Sequence, residues 1–390
     1  MSTTTDIKTI KFDPDSLYRS QRIKFSSSKI ITTPTKTIPL DKFNLKQNIN
    51  PTALQLNEVF KRFTASQIKE ANEDCEKEDK VNEFFNSQKN KIKENTATLC
   101  ILDFNEIRIP TEEEIGFLTA IGYCNSDISV IPTLSHFSDS KSSPINYEDY
   151  KKYLDLTIEI IEQLNHKPIM GIIPRLSSKN ILDLLNFYHD KGINSFALDL
   201  DGRNPVSSST KIFKILRTLN KQKLLDTSYI HAHNVGMRVN KITDTIPAKD
   251  ILGFGLGLDS IGEKRKEFKP NKTFIEFIKQ NPLNKFRLFN KNDYCYWKTI
   301  SLSDLKNVYP ADSSISFSEF KEPVVLRNAA LFNKLQYRFN SEQLSIESNN
   351  IKKIISEDSE NTLKYIKKKK GISTDDIKVI ESAPNKIKKK

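Results

Sequence analysis

Hydrophobic positions along the chain fall into short apolar runs, each followed by an amphipathic segment. Thr98–Leu102 precedes Thr111–Ile121, Ile128–Pro132 precedes Tyr147–Asn165, and Ile169–Ile173 precedes Ser178–Lys191. The series continues with Ser195–Leu200 and Thr210–Leu219, then Tyr229–Ala232 and a short loop, then Ile251–Leu258. Near-continuous apolar strands separated by helices predict a parallel sheet covered on both faces. Six or more such units in about 200 residues predict an α/β fold of the (β/α)8 TIM-barrel type, with a doubly wound open sheet as the alternative.

The flanks carry other patterns. Residues 1–50 hold short β-branched runs such as Lys29-Ile30-Ile31-Thr32-Thr33 and read as an N-terminal β-segment. Residues 51–95 show a charged helical pattern ending in Val81–Asn95, without a strand signal, and read as a helical insertion. The barrel is then expected over 96–340. Residues 341–390 are expected to form a C-terminal helix and a basic tail, with the lysines of 367–370 and 386–390 on a flexible segment whose helical signal fades after 370.

Composition narrows the function classes. The chain has 390 residues and no apolar run approaching the roughly 20 that a membrane span needs, so membrane insertion is excluded. The first residues lack a basic stretch followed by an apolar one, so no secretory signal and a cytoplasmic location are expected. Cys75, Cys100, Cys124 and Cys295 lie far apart without a C-x-x-C pair, which argues against a disulfide framework or a structural zinc site. Sixty-one Lys and Arg against 49 Asp and Glu give a net charge of +12. Such an excess suits a polyanionic partner such as nucleic acid, and equally a lysine-rich proteome.

In a barrel, function gathers at the C-terminal ends of the strands, where this sequence is unusually polar. Asp103 closes TLCILD, as a general base, a ligand for a nucleobase edge or an ordinary loop acid. Thr133 and Arg175 close two further strands. Asp199 and Asp201 in FALDLDGR share one face of an extended strand, where they suit a shared proton, a metal or a salt-bridged rim with Arg203. His231 and His233 in YIHAHNVG have the same spacing, and read as metal ligands with Asp199 or Asp201, or as packed strand residues. Gly253, Gly255, Gly257 and Gly262 in GFGLGLDSIG permit close backbone approach to a phosphate or base, but not in a Rossmann context.

The order of segments resembles the tRNA-guanine transglycosylase family, (β/α)8 enzymes that exchange a guanine in tRNA for a 7-deazaguanine. RSQRIKFSSSKIITTP (Arg19 to Pro34) is similar to the family's opening β-segment. IRIPTEEEIGFLTAIGYCNSDISVIPTLS (Ile107 to Ser135) is similar to its E-I-x-x-F-Q-x-x-I-G-x-D-I stretch. PIMGIIPRLS, KGINSFALDLDGRNPVSSSTKIFKIL, YIHAHNVG and AKDILGFGLGLDS then follow in the family's order. NDYCYWKTISLSDL and RNAALFNKL resemble the remnants of its C-x-C-x-x-C and A-L-H-N-L motifs, so the likeness spans roughly residues 15 to 365.

Departures from the family shape the expectation. The resemblance places the base-side acid on Asp103, but Phe104 and Asn105 replace the Ser-Gly that follows it. The base-recognising Asp falls on Thr133, the strand Gln near Pro174, and the Gly-Gly pair on Asp199-Leu200. The nucleophilic Asp falls on Gly253, unless a six-residue shift brings in Asp259. Of the family's zinc ligands only Cys295 remains, with Tyr296 to Lys298 and Phe332 at the other positions, so no metal or cofactor is expected. Base exchange passes through a covalent ribosyl-carboxylate, for which glycine has no nucleophile. The resemblance therefore implies a divergent, non-catalytic or altered-chemistry relative that binds tRNA or another nucleic acid, alone, as a homodimer or with a paralogous transglycosylase subunit. Two alternatives stand: an active base-exchange enzyme using Asp103 and Asp259, and a barrel enzyme acting on a small metabolite through Asp199, Asp201, His231 and His233.

Overall fold

The computed structural model describes residues 4–26, 28–42, 49–139, 143–164, 167–236, 244–265, 276, 287–298 and 301–388. The chain opens with three antiparallel strands, β1 (Asp6–Phe12), β2 (Arg19–Lys24) and β3 (Ile30–Thr32), paired in that order. Parallel strands follow: β4 (Thr35–Lys36), β5 (Ile38–Pro39), β6 (Leu56–Phe63), β7 (Ala97–Phe104), β8 (Ser129–Val130) and β9 (Thr133–Leu134). Beyond them lie β10 (Ile169–Ile173), β11 (Ser195–Asp199), β12 (Tyr229–His233), β13 (Thr245–Pro247), β14 (Ser260–Ile261), β15 (Leu288–Asn290) and β16 (Cys295–Trp297).

The parallel strands form two sheets, ordered β4-β14-β12-β11-β10-β8 and β5-β6-β7-β9. Two chain segments serve both: Thr35–Pro39 supplies β4 to one sheet and β5 to the other, and Ser129–Leu134 supplies β8 and β9. Helices α1 (Ala65–Glu73), α2 (Cys75–Lys89), α3 (Glu112–Cys124), α4 (Tyr147–Leu164), α5 (Ser178–Asp190) and α6 (Ser209–Lys221) alternate with the strands, as expected of an α/β fold. The fully buried β7 and β10 match the continuous apolar runs that predict them. Helix α3 starts at a Thr111–Glu114 capping box. Helix α6 buries Ile212, Phe213, Ile215, Leu216 and Leu219, leaving Lys214 and Arg217 half-buried and Lys221 exposed on its outer side.

Four expectations need correction. The stretch 51–95 contains strand β6, which runs beside β7 along its whole length, from Leu56↔Ala97 to Phe63↔Phe104. Its strand signal is masked by Glu58 and Arg62, charges that a half-exposed helix would carry but that here are paired with Arg265 and Asp103. Ile251–Leu258 is not a strand: Ile251–Leu256 forms a 3-10 turn closed by Gly257 at φ 86°, and the strand is Ser260–Ile261. The left-handed Gly257 is incompatible with extended pairing, and Gly255 lies against the Tyr18 ring where a side chain would not fit. Residues after 370 are helical, Thr374–Lys388, and bury Ile377, Ile380, Ala383 and Ile387 against α6 and the 251–256 turn. Asp199 ends its strand, so Asp201 does not continue the face it occupies.

The main core joins the strands to the inner helix faces, and a second cluster gathers Leu288, Leu305, Ile315, Phe320, Phe332, Leu335 and Phe339. Trp297 packs against that second cluster, so two of the positions that the resemblance assigns to zinc ligands contribute apolar packing. Cys295 is a buried free thiol on β16, and the Tyr296 hydroxyl donates to Asp250. No helix among the described residues is long and apolar enough to cross a membrane.

Candidate functional site

Two groups of polar side chains lie at the C-terminal ends of the parallel strands, and a third lies deeper among them. At the end of β7, Asp103 accepts from Arg62 Nε at 2.7 Å, Thr133 Oγ1 at 2.7 Å and Ser135 Oγ at 2.5 Å. Two predicted residues, Asp103 and Thr133, thus meet. The carboxylate is already bound by a guanidinium and two hydroxyls, so its lone pairs are committed within the protein.

Asp199, at the end of β11, accepts from the Asp201 backbone N–H at 2.7 Å and from Asn234 Nδ2 at 3.1 Å. Asp201 adopts φ 52°, which turns the backbone out of the extended conformation that strand spacing alone would continue. Arg175 is exposed and stands 3.8 Å from Asp201. Beside them lies Lys211, whose Nζ donates to the Pro174 carbonyl at 2.7 Å and the Asp199 carbonyl at 3.3 Å. Burial holds the Lys211 ammonium down at about 8, with Asp199 pulling the other way, and burial pushes the Asp199 carboxyl up. Lys211 is a residue that sequence reasoning missed, because on a helix of alternating Lys and Ile it reads as a solvated face.

The third group lies on β12 and β6. His231 and His233 project to the same side, as their spacing predicts, but their acidic neighbour is Glu58, not Asp199 or Asp201. Glu58 Oε2 is 3.3 Å from His231 Nε2, and Glu58 Oε1 is 2.8 Å from an Arg265 guanidinium nitrogen. Arg265 also pairs with Asp41 at 2.6 Å, and Thr37 Oγ1 donates to Glu58 at 3.1 Å. Burial alone would raise the Glu58 carboxyl, but Arg265 and the histidines outweigh it and hold it well below the usual carboxylate range. Burial lowers the His233 imidazole to about 4, so it is neutral at physiological pH. Glu58 was missed with the strand that carries it. The Thr64–Gln67 capping box directly after Phe63 is the signal that would have separated strand from helix there.

Asp259 lies elsewhere. It precedes β14, its backbone N–H donates to the Ile230 carbonyl near the start of β12, and its fully buried carboxylate accepts from Arg19 Nε and Nη2 at 2.8 and 2.7 Å. Asp103 is the penultimate residue of its strand, so the two acids sit at opposite ends of the parallel strands, not across one opening. Gly253, to which the resemblance assigns the nucleophile, lies in the buried 251–256 turn.

The chain matches no protein-family model and no curated protein. Among solved structures it is similar to the enoyl reductase domain of MlnA from the macrolactin biosynthesis cluster of Bacillus amyloliquefaciens, at 11% identity and a TM-score of 0.29, covering 86% of this chain and 89% of that one. A likeness at that level bears on neither fold nor function.

Proposed function

We propose that this chain is a divergent transglycosylase-like (β/α)8 barrel that binds tRNA or another nucleic acid without exchanging its bases. In support of the barrel, the segments Thr35–Pro39 and Ser129–Leu134 each pair on both sides, which is the pairing a single ring of eight parallel strands requires. The observation that carries nucleic-acid binding is a basic shoulder where α6 meets the final helix. Arg217 donates to the Lys386 carbonyl at 2.8 Å; Lys214 and Lys221 lie about one turn to either side of Arg217 on α6, Lys388 follows Lys386 on the final helix, and these four lysines have no ion pair among the described residues. Helix α6 contains no acid to neutralise them. A stripe of this kind on one surface is an electrostatic footprint for phosphates. Loss of base exchange follows from the engagement of both candidate acids, Asp103 with Arg62 and Asp259 with Arg19.

The test combines binding and chemistry. Fluorescence anisotropy with labelled tRNA is expected to give an affinity that falls steeply with salt. Reversing Lys214, Lys221, Lys386 and Lys388 to Glu is expected to lower the affinity at least ~10-fold and flatten the salt slope by about 0.7–0.9 per lost phosphate contact. Unchanged affinity and slope would refute the basic shoulder as a nucleic-acid surface. Labelled-guanine exchange into tRNA by the chain alone would refute the non-catalytic part, whereas exchange by a paralogous transglycosylase that this chain enhances would make it a partner subunit.

A further inference from the structure

We propose that Glu58, His231 and His233 bind one divalent transition-metal ion of the zinc class inside the parallel sheet. One ligand atom from each of the three lies within 4.8 Å of the others, and all three residues are buried. Two imidazoles and a carboxylate are the donor set of three-ligand zinc sites, which leave a further position for water or a ligand.

Several features of the surroundings point to an ion rather than to simple packing. His231 Nε2 and His233 Nδ1 are both buried without a hydrogen-bond partner among the described residues. Orphaned buried nitrogens are costly, and a cation would satisfy both. The separation of 3.3 Å between His231 Nε2 and Glu58 Oε2 is poor for a hydrogen bond. It is close to the distance, about 3.3 Å, between two ligand atoms that each lie about 2.0 Å from a tetrahedral metal.

The next layer of residues is arranged to orient the ligands. His231 Nδ1 lies 2.9 Å from Ser260 Oγ, itself 2.6 Å from the Tyr229 hydroxyl, which leaves Nε2 turned toward Glu58. Phe60 stacks on the His233 ring with centroids 5.8 Å apart and fixes its plane. Arg265 holds Oε1 of Glu58, while Oε2, which also accepts from Thr37 Oγ1 at 3.1 Å, lies 3.3 Å from His231 Nε2. Gly262 forms the adjacent wall, where a Cβ would overlap Glu58 Oε2 and crowd the His231 ring. The two carboxylates, Glu58 and Asp41, share the single Arg265 guanidinium, so carboxylates outnumber guanidinium groups beside the histidines. The site is independent of nucleic-acid binding.

The test uses the full chain, stripped with a chelator and titrated with Zn²⁺ or Co²⁺. Elemental analysis is expected to find about one equivalent, and Co²⁺ to give visible absorption characteristic of tetrahedral coordination. H233N and E58Q are each expected to weaken binding at least ~10-fold, while H136N, at an exposed histidine, leaves it unchanged. E58Q also removes a partner of Arg265 and can unfold the chain, so H233N is decisive: His233 Nδ1 has no hydrogen bond to lose. A folded wild-type chain that takes up no metal, or an H233N variant that binds as tightly as wild type, would overturn the proposal.

Discussion

Asp259 is the sharpest place to separate structure from chemistry, because the same residue is either a nucleophile or half of a buried ion pair. Its carboxylate receives two guanidinium bonds from Arg19 and one from the Ile230 backbone N–H, and the exposures of the Arg19 and Asp259 side chains are 4% and 0%. Arg19 also donates to the carbonyls of Leu225 and Ser228. In D259N the shape is kept but the charge is lost, so a buried guanidinium is left without its counter-ion. Charge-assisted hydrogen bonds contribute about 1.5–3 kcal/mol each. Two weakened bonds and an uncompensated charge together predict a loss of about 3–5 kcal/mol. R19M leaves the carboxylate with the Ile230 backbone N–H and the Gln21 amide as donors but without its counter-ion, and is expected to cost a similar amount. The double variant R19M/D259L leaves neither charge buried, and should be more stable than the sum of the two single effects predicts by about 2 kcal/mol or more. Equilibrium urea unfolding followed by circular dichroism measures all three. A D259N variant within about 0.5 kcal/mol of wild type, or a cycle that is additive to that margin, would refute the reading of Asp259 as a structural ion-pair partner.

Two further outcomes follow from particular contacts. Ile380 is fully buried where the final helix meets the 251–256 turn, so I380A is expected to destabilise the chain by about 2–4 kcal/mol in the same unfolding assay, and a surface-like cost under about 0.5 kcal/mol would show that this helix is not docked. Among the described residues Lys352 Nζ donates to the neutral acceptors Gln55 Oε1 and Asn349 Oδ1, and burial lowers its ammonium to about 7. The unfolded chain therefore binds more protons at this site than the folded one, so its contribution to stability rises by about 2 kcal/mol between roughly pH 7 and pH 9. K352M should remove that rise from the pH dependence of the urea midpoint, and an unchanged slope would show that Lys352 keeps an ordinary ammonium.

Periodicity along the chain was enough to read an α/β fold with parallel strands and to locate β7, β10, β11 and β12, because each is a short, almost wholly buried run in which apolar residues predominate or alternate with the polar ones. It was also enough to place His231 and His233 on one side of a strand, since that follows from the two-residue repeat of any strand. It did not find β6, because Glu58 and Arg62 read as a solvated helix until Arg265 and Asp103 are seen to neutralise them from more than 40 residues away. Nor did it find that Asp259 belongs to Arg19, 240 residues earlier, or that Asp201 leaves the strand in a left-handed turn after Asp199. The same holds for the final helix, whose lysines look like a soluble tail until its isoleucines meet α6. Local sequence sets which face of an element is apolar and how its side chains repeat. Which charge meets which is set by strand order and helix docking, and in this protein those partners decide whether an acid is free for chemistry or held in an ion pair.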